Sequence, residues 1–228
     1  MKLVIFDCDG TLVDSQHMIC AAMHKTYLQH DLPCPPRERL LSIVGLSLGE
    51  AFRRLADGAP QPLESLTEGY KAAFFALRAS GEHVEPLYPG ARDAVEELAR
   101  RGDVTLGIAT GKSERGVKAV LEHHGLIEHF TTIQTADSAP SKPHPGMVLH
   151  AMREAGVAPD RTVVIGDTAF DMDMARAAGA SAIGVAWGYH PVNELRDAGA
   201  QIVIEDFSAL LPALDRMWPV KTQSNANA

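Results

Sequence analysis

The stretch LVIFDCDGT carries the apolar run Leu3–Phe6 straight into Asp7 and Asp9, followed by Gly10 and Thr11. Two carboxylates one residue apart at the end of an apolar run are costly to bury unless something cationic holds them. The same kind of ending recurs along the chain. LGIATG closes on Thr110 and Gly111, TVVIGD closes on Asp167 with Asp171 just beyond, and the loop SAPSKPHPG carries Lys142. Taken singly, each fragment has an ordinary reading: an Asp-Gly turn, a helix-capping aspartate, a solvated lysine before a proline. Gathered on one rim, they suit phosphoryl transfer. Carboxylates with a backbone carbonyl are the donors that Mg²⁺ takes, and the ion keeps positions for water and phosphate oxygens. Asp7 and Asp167 then bind the metal and Asp171 orders its surroundings. The second oxygen of Asp7 is left to attack phosphorus. Asp9, one residue on, reaches the leaving group as general acid and later serves as base for water. Lys142, the Thr110 hydroxyl and the Gly111 N–H hold the remaining phosphoryl oxygens at the amino end of a helix.

Those positions meet only if the runs that end in them are parallel neighbours. From residue 86 onward, apolar runs alternate with amphipathic segments. VTLGIAT (104–110), FTTIQTA, TVVIGD (162–167), SAIGVAW (181–187) and QIVIED read as strands, with helical spacing between them. Such β-α alternation predicts an α/β fold: a doubly wound, mainly parallel Rossmann-like sheet with helices on both faces. Residues 15–85 differ. QHMICAAMHKTYLQH, SLGEAFRRLA and LTEGYKAAFFALRAS have helical spacing, joined by the proline-rich connections DLPCPPRER and DGAPQPLES. The expected division is a core of residues 1–14 and 86–218 and an inserted helical cap of residues 15–85. The polar end, 219–228, is expected to be a disordered tail. Ligands of open α/β sheets bind beyond the carboxyl ends of the strands, which puts the insertion over the rim as a lid.

Composition narrows the partners. The chain has 228 residues, 46% of them hydrophobic, and a formal net charge of −8 without a lysine-arginine cluster. Nucleic acid and anionic membrane surfaces are therefore not expected as partners. The three cysteines, Cys8, Cys20 and Cys34, are scattered, which predicts a reducing compartment and no disulfide framework. Only two residues precede the first strand and no apolar run reaches membrane-spanning length, so a cytoplasmic protein is expected. His123, His124 and His129 match no usual metal-ligand spacing.

The motifs DCDGT, IATG, SKPHP and GDTAFD, in this order across nearly the whole chain, resemble those of the haloacid dehalogenase superfamily of aspartate-nucleophile phosphatases. The helical insertion before YPG resembles the cap of the phosphoglycolate phosphatase and β-phosphoglucomutase branch. GLSLGEAF, PSKPHPGM and GDTAFDMDMARAAG resemble the phosphoglycolate phosphatase-like hydrolases most. The resemblance implies a Rossmann-like core, Mg²⁺ and a phosphoaspartate intermediate. It makes Asp7 nucleophile and ligand, and Asp9 acid/base and donor of a backbone carbonyl to the metal. Two positions depart from common patterns. Gly111 stands where many members carry asparagine or serine. Gly166 stands where the mutase branch often has glutamate, which favours a hydrolase.

The reading is thus a Mg²⁺-dependent phosphatase for a small, phosphoglycolate-like monoester. A phosphosugar mutase, a sugar phosphatase and a pyrophosphatase are the alternatives within the branch. A dehalogenase has no need of Asp9, and a phosphonate hydrolase needs a cap lysine of special context, which Lys25 and Lys71 do not show. A phosphorylation-receiver switch gathers similar residues but carries no helical lid. Substrate contacts from the cap are expected at Gly45, Leu46 and Ser47, with Arg53 and His17 as weaker candidates. Their small, apolar character suggests a two- or three-carbon phosphate. Cys8 is expected to be a packing residue.

Overall fold

The computed structural model describes residues 1–81 and 84–218; the expected tail at 219–228 lies outside the described residues. Six strands form one sheet: β1 (Lys2–Phe6), β2 (Val104–Thr110), β3 (Thr132–Thr135), β4 (Thr162–Gly166), β5 (Ser181–Val185) and β6 (Ile202–Ile204). Every neighbouring pair is parallel and the order is β3-β2-β1-β4-β5-β6. This is the Rossmann order, whose direction reverses between β1 and β4. The middle of the central strand is apolar because both faces are covered by helices; Leu3, Val4, Ile5 and Phe6 are all fully buried.

One face packs α5 (Ala91–Arg100), α6 (Glu114–His123) and α10 (Leu210–Met217) on a cluster built around Phe6, Leu98, Ile108 and Leu121. The other packs α7 (Gly146–Ala155), α8 (Ala169–Ala177) and α9 (Val192–Asp197) on Leu3, Ile5, Met147, Val164 and Met172.

Between β1 and α5 lie α1 (Gln16–Gln29), α2 (Arg37–Leu41), α3 (Leu48–Ala56) and α4 (Leu63–Ser80). They have a hydrophobic cluster of their own around Tyr27, Phe52, Leu66 and Tyr70. The stretch DLPCPPRER, expected to be a connection only, ends in α2. Pro36, at φ −63°, occupies its N-cap, where a proline's fixed φ and missing N–H cost nothing. The segment leaves and rejoins the sheet through two paired linkers. Val13 bridges Leu87 in antiparallel fashion, Asp14 N–H donates to the Pro86 carbonyl at 2.8 Å, and Tyr88 N–H donates to that of Leu12 at 2.9 Å.

Candidate active site

Parallel register brings the strand ends together. Phe6 stands opposite Ile108 of β2 and Ile165 of β4, so Asp7 follows on level with the ends of both neighbours. Asp7 N–H donates to the Ile165 carbonyl at 2.8 Å, which fixes the backbone one residue beyond β1. Asp167 follows Gly166 at the end of β4, and Asp171 sits in the first turn of α8. There Asp171 closes a capping box. Its Oδ2 accepts from Thr168 N–H at 3.1 Å and from the Thr168 hydroxyl at 2.7 Å. Asp167 accepts from the Thr11 hydroxyl at 2.9 Å and from Tyr189 N–H at 2.9 Å. Lys142 reaches in from the loop after β3. Its Nζ lies 2.6 Å from Asp171 Oδ1 and 2.9 Å from Asp7 Oδ1, with no exposed side-chain surface.

The electrostatics of this cluster are those of crowded negative charge. Burial pushes the Asp7 carboxyl from 3.8 up to about 7; Lys142 opposes the rise, while Asp171 and Asp9 add to it. Asp167 is pushed well above the carboxylate range by burial, then by Asp7 and Asp171. Burial alone would lower the Lys142 ammonium, but Asp171 and Asp7 outweigh it and hold the lysine charged. One lysine does not balance three buried carboxylates. Asp7, Asp167 and Asp171 each offer an oxygen, all within 4.8 Å of one another, and Asp7 Oδ2 is buried without a hydrogen-bond partner. An all-oxygen set of excess negative charge fits a hard divalent cation such as Mg²⁺.

Asp9 faces elsewhere. Among the four rim carboxylates it alone lines a cavity of about 350 Å³ between the sheet and the helices α1, α3 and α4. Lys112 Nζ holds it at 2.8 and 3.1 Å and also meets Glu85 Oε1 at 3.1 Å. Glu85, on the second linker, takes Arg78 of α4 through two bonds of 2.5 and 3.0 Å. Four alternating charges thus run from rim to cap. The sequence reading missed Lys112 and Glu85. Lys112 directly follows Gly111, and the need of Asp9 for a cation was the signal that could have found it.

Thr110 is buried at the end of β2, and its hydroxyl accepts from Lys112 N–H at 3.2 Å. A Cβ on Gly111 would lie 2.5 Å from the carbonyl oxygens of both Gly45 and Leu46, so the cap loop rests directly on this glycine. That contact explains why no asparagine or serine stands there. A Cβ on Gly166 would overlap the Asp171 side chain, so a glutamate at this position is incompatible with Asp171 as placed. Of the cap candidates, Gly45 and Leu46 line the cavity. Ser47 instead donates its N–H to Ser141 Oγ of the Lys142 loop at 2.8 Å, and serves the seam. Arg53 is exposed and paired with Glu50, and His17 is exposed on α1. Lys25 is exposed, and Cys8 is buried in the core with its thiol pushed well up, first by burial. His124 meets the Glu85 carbonyl at 2.8 Å and packs edge-on against His123.

The order of strands and the carboxylate rim with its buried lysine define a hydrolase class. The chain belongs to the haloacid dehalogenase-like hydrolases, whose pattern it matches over residues 4–185. Its relatives include the probable phosphatase IndB of Dickeya dadantii, 36% identical over 92% of both chains. A phosphoglycolate phosphatase of Pseudomonas putida is 32% identical over 92% of this chain and 79% of its own length. The crystal structure of a hydrolase from Pseudomonas syringae superposes with a TM-score of 0.83 at 30% identity, covering 95% of this chain and 99% of that one.

Proposed function

We propose that this hydrolase is a Mg²⁺-dependent phosphatase that cleaves small phosphate monoesters through a phosphoaspartate at Asp7. The observation that carries the reading is the division of labour within DCD. Asp7 turns to the cluster that fits a cation and keeps a free oxygen, while Asp9 turns to the cavity. The relatives named as phosphatases support the same class, and phosphoglycolate is the ester that several of their names give.

Held by Asp7, Asp167 and Asp171, with the Asp9 backbone carbonyl, Mg²⁺ would neutralise charge on the phosphoryl oxygens. Lys142 fixes Asp7 Oδ1 and leaves Oδ2 to attack phosphorus. Lys142, the Thr110 hydroxyl and the Gly111 N–H steady the phosphoryl group. As the ester P–O bond breaks, Asp9 gives its proton to the departing oxygen. It then takes a proton from water, which attacks phosphorus, releases phosphate and restores Asp7. Water attack in place of return to a sugar agrees with Gly166, which leaves no room for the glutamate common among mutases. The free cysteines Cys8, Cys20 and Cys34 accord with a reducing, cytoplasmic setting. Residues 15–85 serve as the cap over a core of 1–14 and 86–218, and a small phosphorylated metabolite is the partner this chemistry needs.

Rapid acid quench with intact-mass measurement tests the roles. Asp9→Asn given an aryl phosphate and Mg²⁺ should carry an added phosphoryl group, because its hydrolysis lacks a base. Asp7→Asn should carry none. Labelling of Asp7→Asn but not of Asp9→Asn would reverse the assignment.

A further inference from the structure

Resting on the phosphatase reading, we propose that this enzyme selects a neutral alcohol with an apolar or aromatic face as its leaving group, in preference to a short carbon acid such as glycolate. Asp9 marks where the leaving oxygen must sit, and the cavity beyond it receives the rest of that group. At about 350 Å³ this space lies in the range of pockets for ligands well above two carbons, roughly 300–1,000 Å³. Apolar and aromatic residues supply much of its wall: Ile19 and Met23 of α1, Val44 and Leu46 of the cap loop, and Tyr70 and Phe74 of α4.

A glycolate leaving group would bring its carboxylate into this space, and a buried carboxylate needs a cation of its own. Each candidate is paired or lies at the solvent side. Lys112 is held by Asp9 and Glu85. Arg78 is held by Glu85. Lys71 is exposed and paired with Glu68 at 2.8 Å. Arg115 is exposed, stacked 4.5 Å from the ring centroid of the exposed Phe75, on the solvent side. Lys112 and Arg78 also lie 4.9 and 5.1 Å from the Phe74 ring centroid, so this ring is fixed as a wall by the same charges. The cavity therefore offers surface to an apolar group, and its one cation without a carboxylate partner among the described residues, Arg115, lies at the solvent side.

The test compares 2-phenylethyl phosphate with phosphoglycolate, using the unaltered chain and Mg²⁺. Both are primary alkyl esters, so neither leaves with the intrinsic ease of a phenolate. The kcat/KM for the phenylethyl ester should be at least about tenfold higher, the least that one well-buried hydrophobic contact gives. Phe74→Ala should cut the ratio of the two values by about tenfold. Equal or better turnover of phosphoglycolate overturns the proposal. So does turnover of an aryl phosphate with neither alkyl ester accepted, although the phosphatase reading would survive. Absence of turnover with all three esters would overturn the phosphatase reading itself.

Discussion

Gly111→Ala is the smallest change that tests how the cap loop engages the site. The added Cβ would stand 2.5 Å from two backbone oxygens, about 0.9 Å short of ordinary contact at 3.4 Å. Neither oxygen belongs to a flexible side chain, so the loop itself must withdraw. It is tied down by the Ser47 N–H on Ser141 Oγ at 2.8 Å and by His190 Nε2 on the Ser42 carbonyl at 3.1 Å. Overpacking of this kind costs about 1–3 kcal/mol. At about 1.4 kcal/mol per tenfold, the seated loop loses roughly 5- to 150-fold in population. Alanine keeps the N–H at position 111, so the substitution disturbs the seam alone. Turnover of an alkyl phosphate should fall in kcat/KM by that factor. Amide hydrogen exchange at residues 45–47 should rise by the same factor while the sheet stays protected. Activity within twofold of the parent, or exchange rising uniformly across β1, β2 and β4, would refute the reasoning.

Lys112→Met removes the cation between Asp9 and Glu85 at a site where the lysine side chain is 8% exposed. Leaving buried charge uncompensated costs about 3–5 kcal/mol, which at about 2–4 °C per kcal/mol lowers the thermal midpoint by roughly 6–20 °C; calorimetry should show it, with part regained on adding Asp9→Asn. Ca²⁺ should bind yet inhibit, because it accepts both oxygens of a carboxylate and would capture the one Asp7 needs for attack; equal rates with Mg²⁺ and Ca²⁺ would count against this. With its folded value near 7 against 3.8 unfolded, Asp7 stabilises the metal-free fold through its proton below about 3.8 and loses that contribution as pH rises through about 7. Mg²⁺ added near pH 6 should therefore release protons, seen as a binding heat that varies with the ionisation enthalpy of the buffer.

The sheet was legible because most of its strands are largely apolar runs ending in polar residues. VTLGIAT matches β2 residue for residue. Asp7 and Asp167 were legible for the same reason, since each directly follows a strand, whereas Lys142 reaches the rim from a loop. Lys112 was not, because its partners are Asp9, far back in sequence, and Glu85, in a linker without periodicity. Side-chain reach across the rim decides such a pairing, and chain spacing says nothing of it. Ser47 shows the opposite failure. The loop that carries it was placed correctly over the site, but only the packing reveals that its backbone is spent on Ser141 while Gly45 and Leu46 face the cavity.

The paired linkers have a mechanical consequence. A body tethered at two adjacent, mutually hydrogen-bonded strands turns about them as a door turns on its pins, and displacement grows with distance from that axis. Glu85 sits beside Pro86 and Leu87, almost on the axis. The loop at 45–47 meets the rim at other points, Gly111 and Ser141. A swing that lifts this loop clear of Gly111 and admits an ester can thus leave Glu85 nearly still, with Lys112 and Asp9 held in place behind it. The doorway opens while Asp9 keeps its aim.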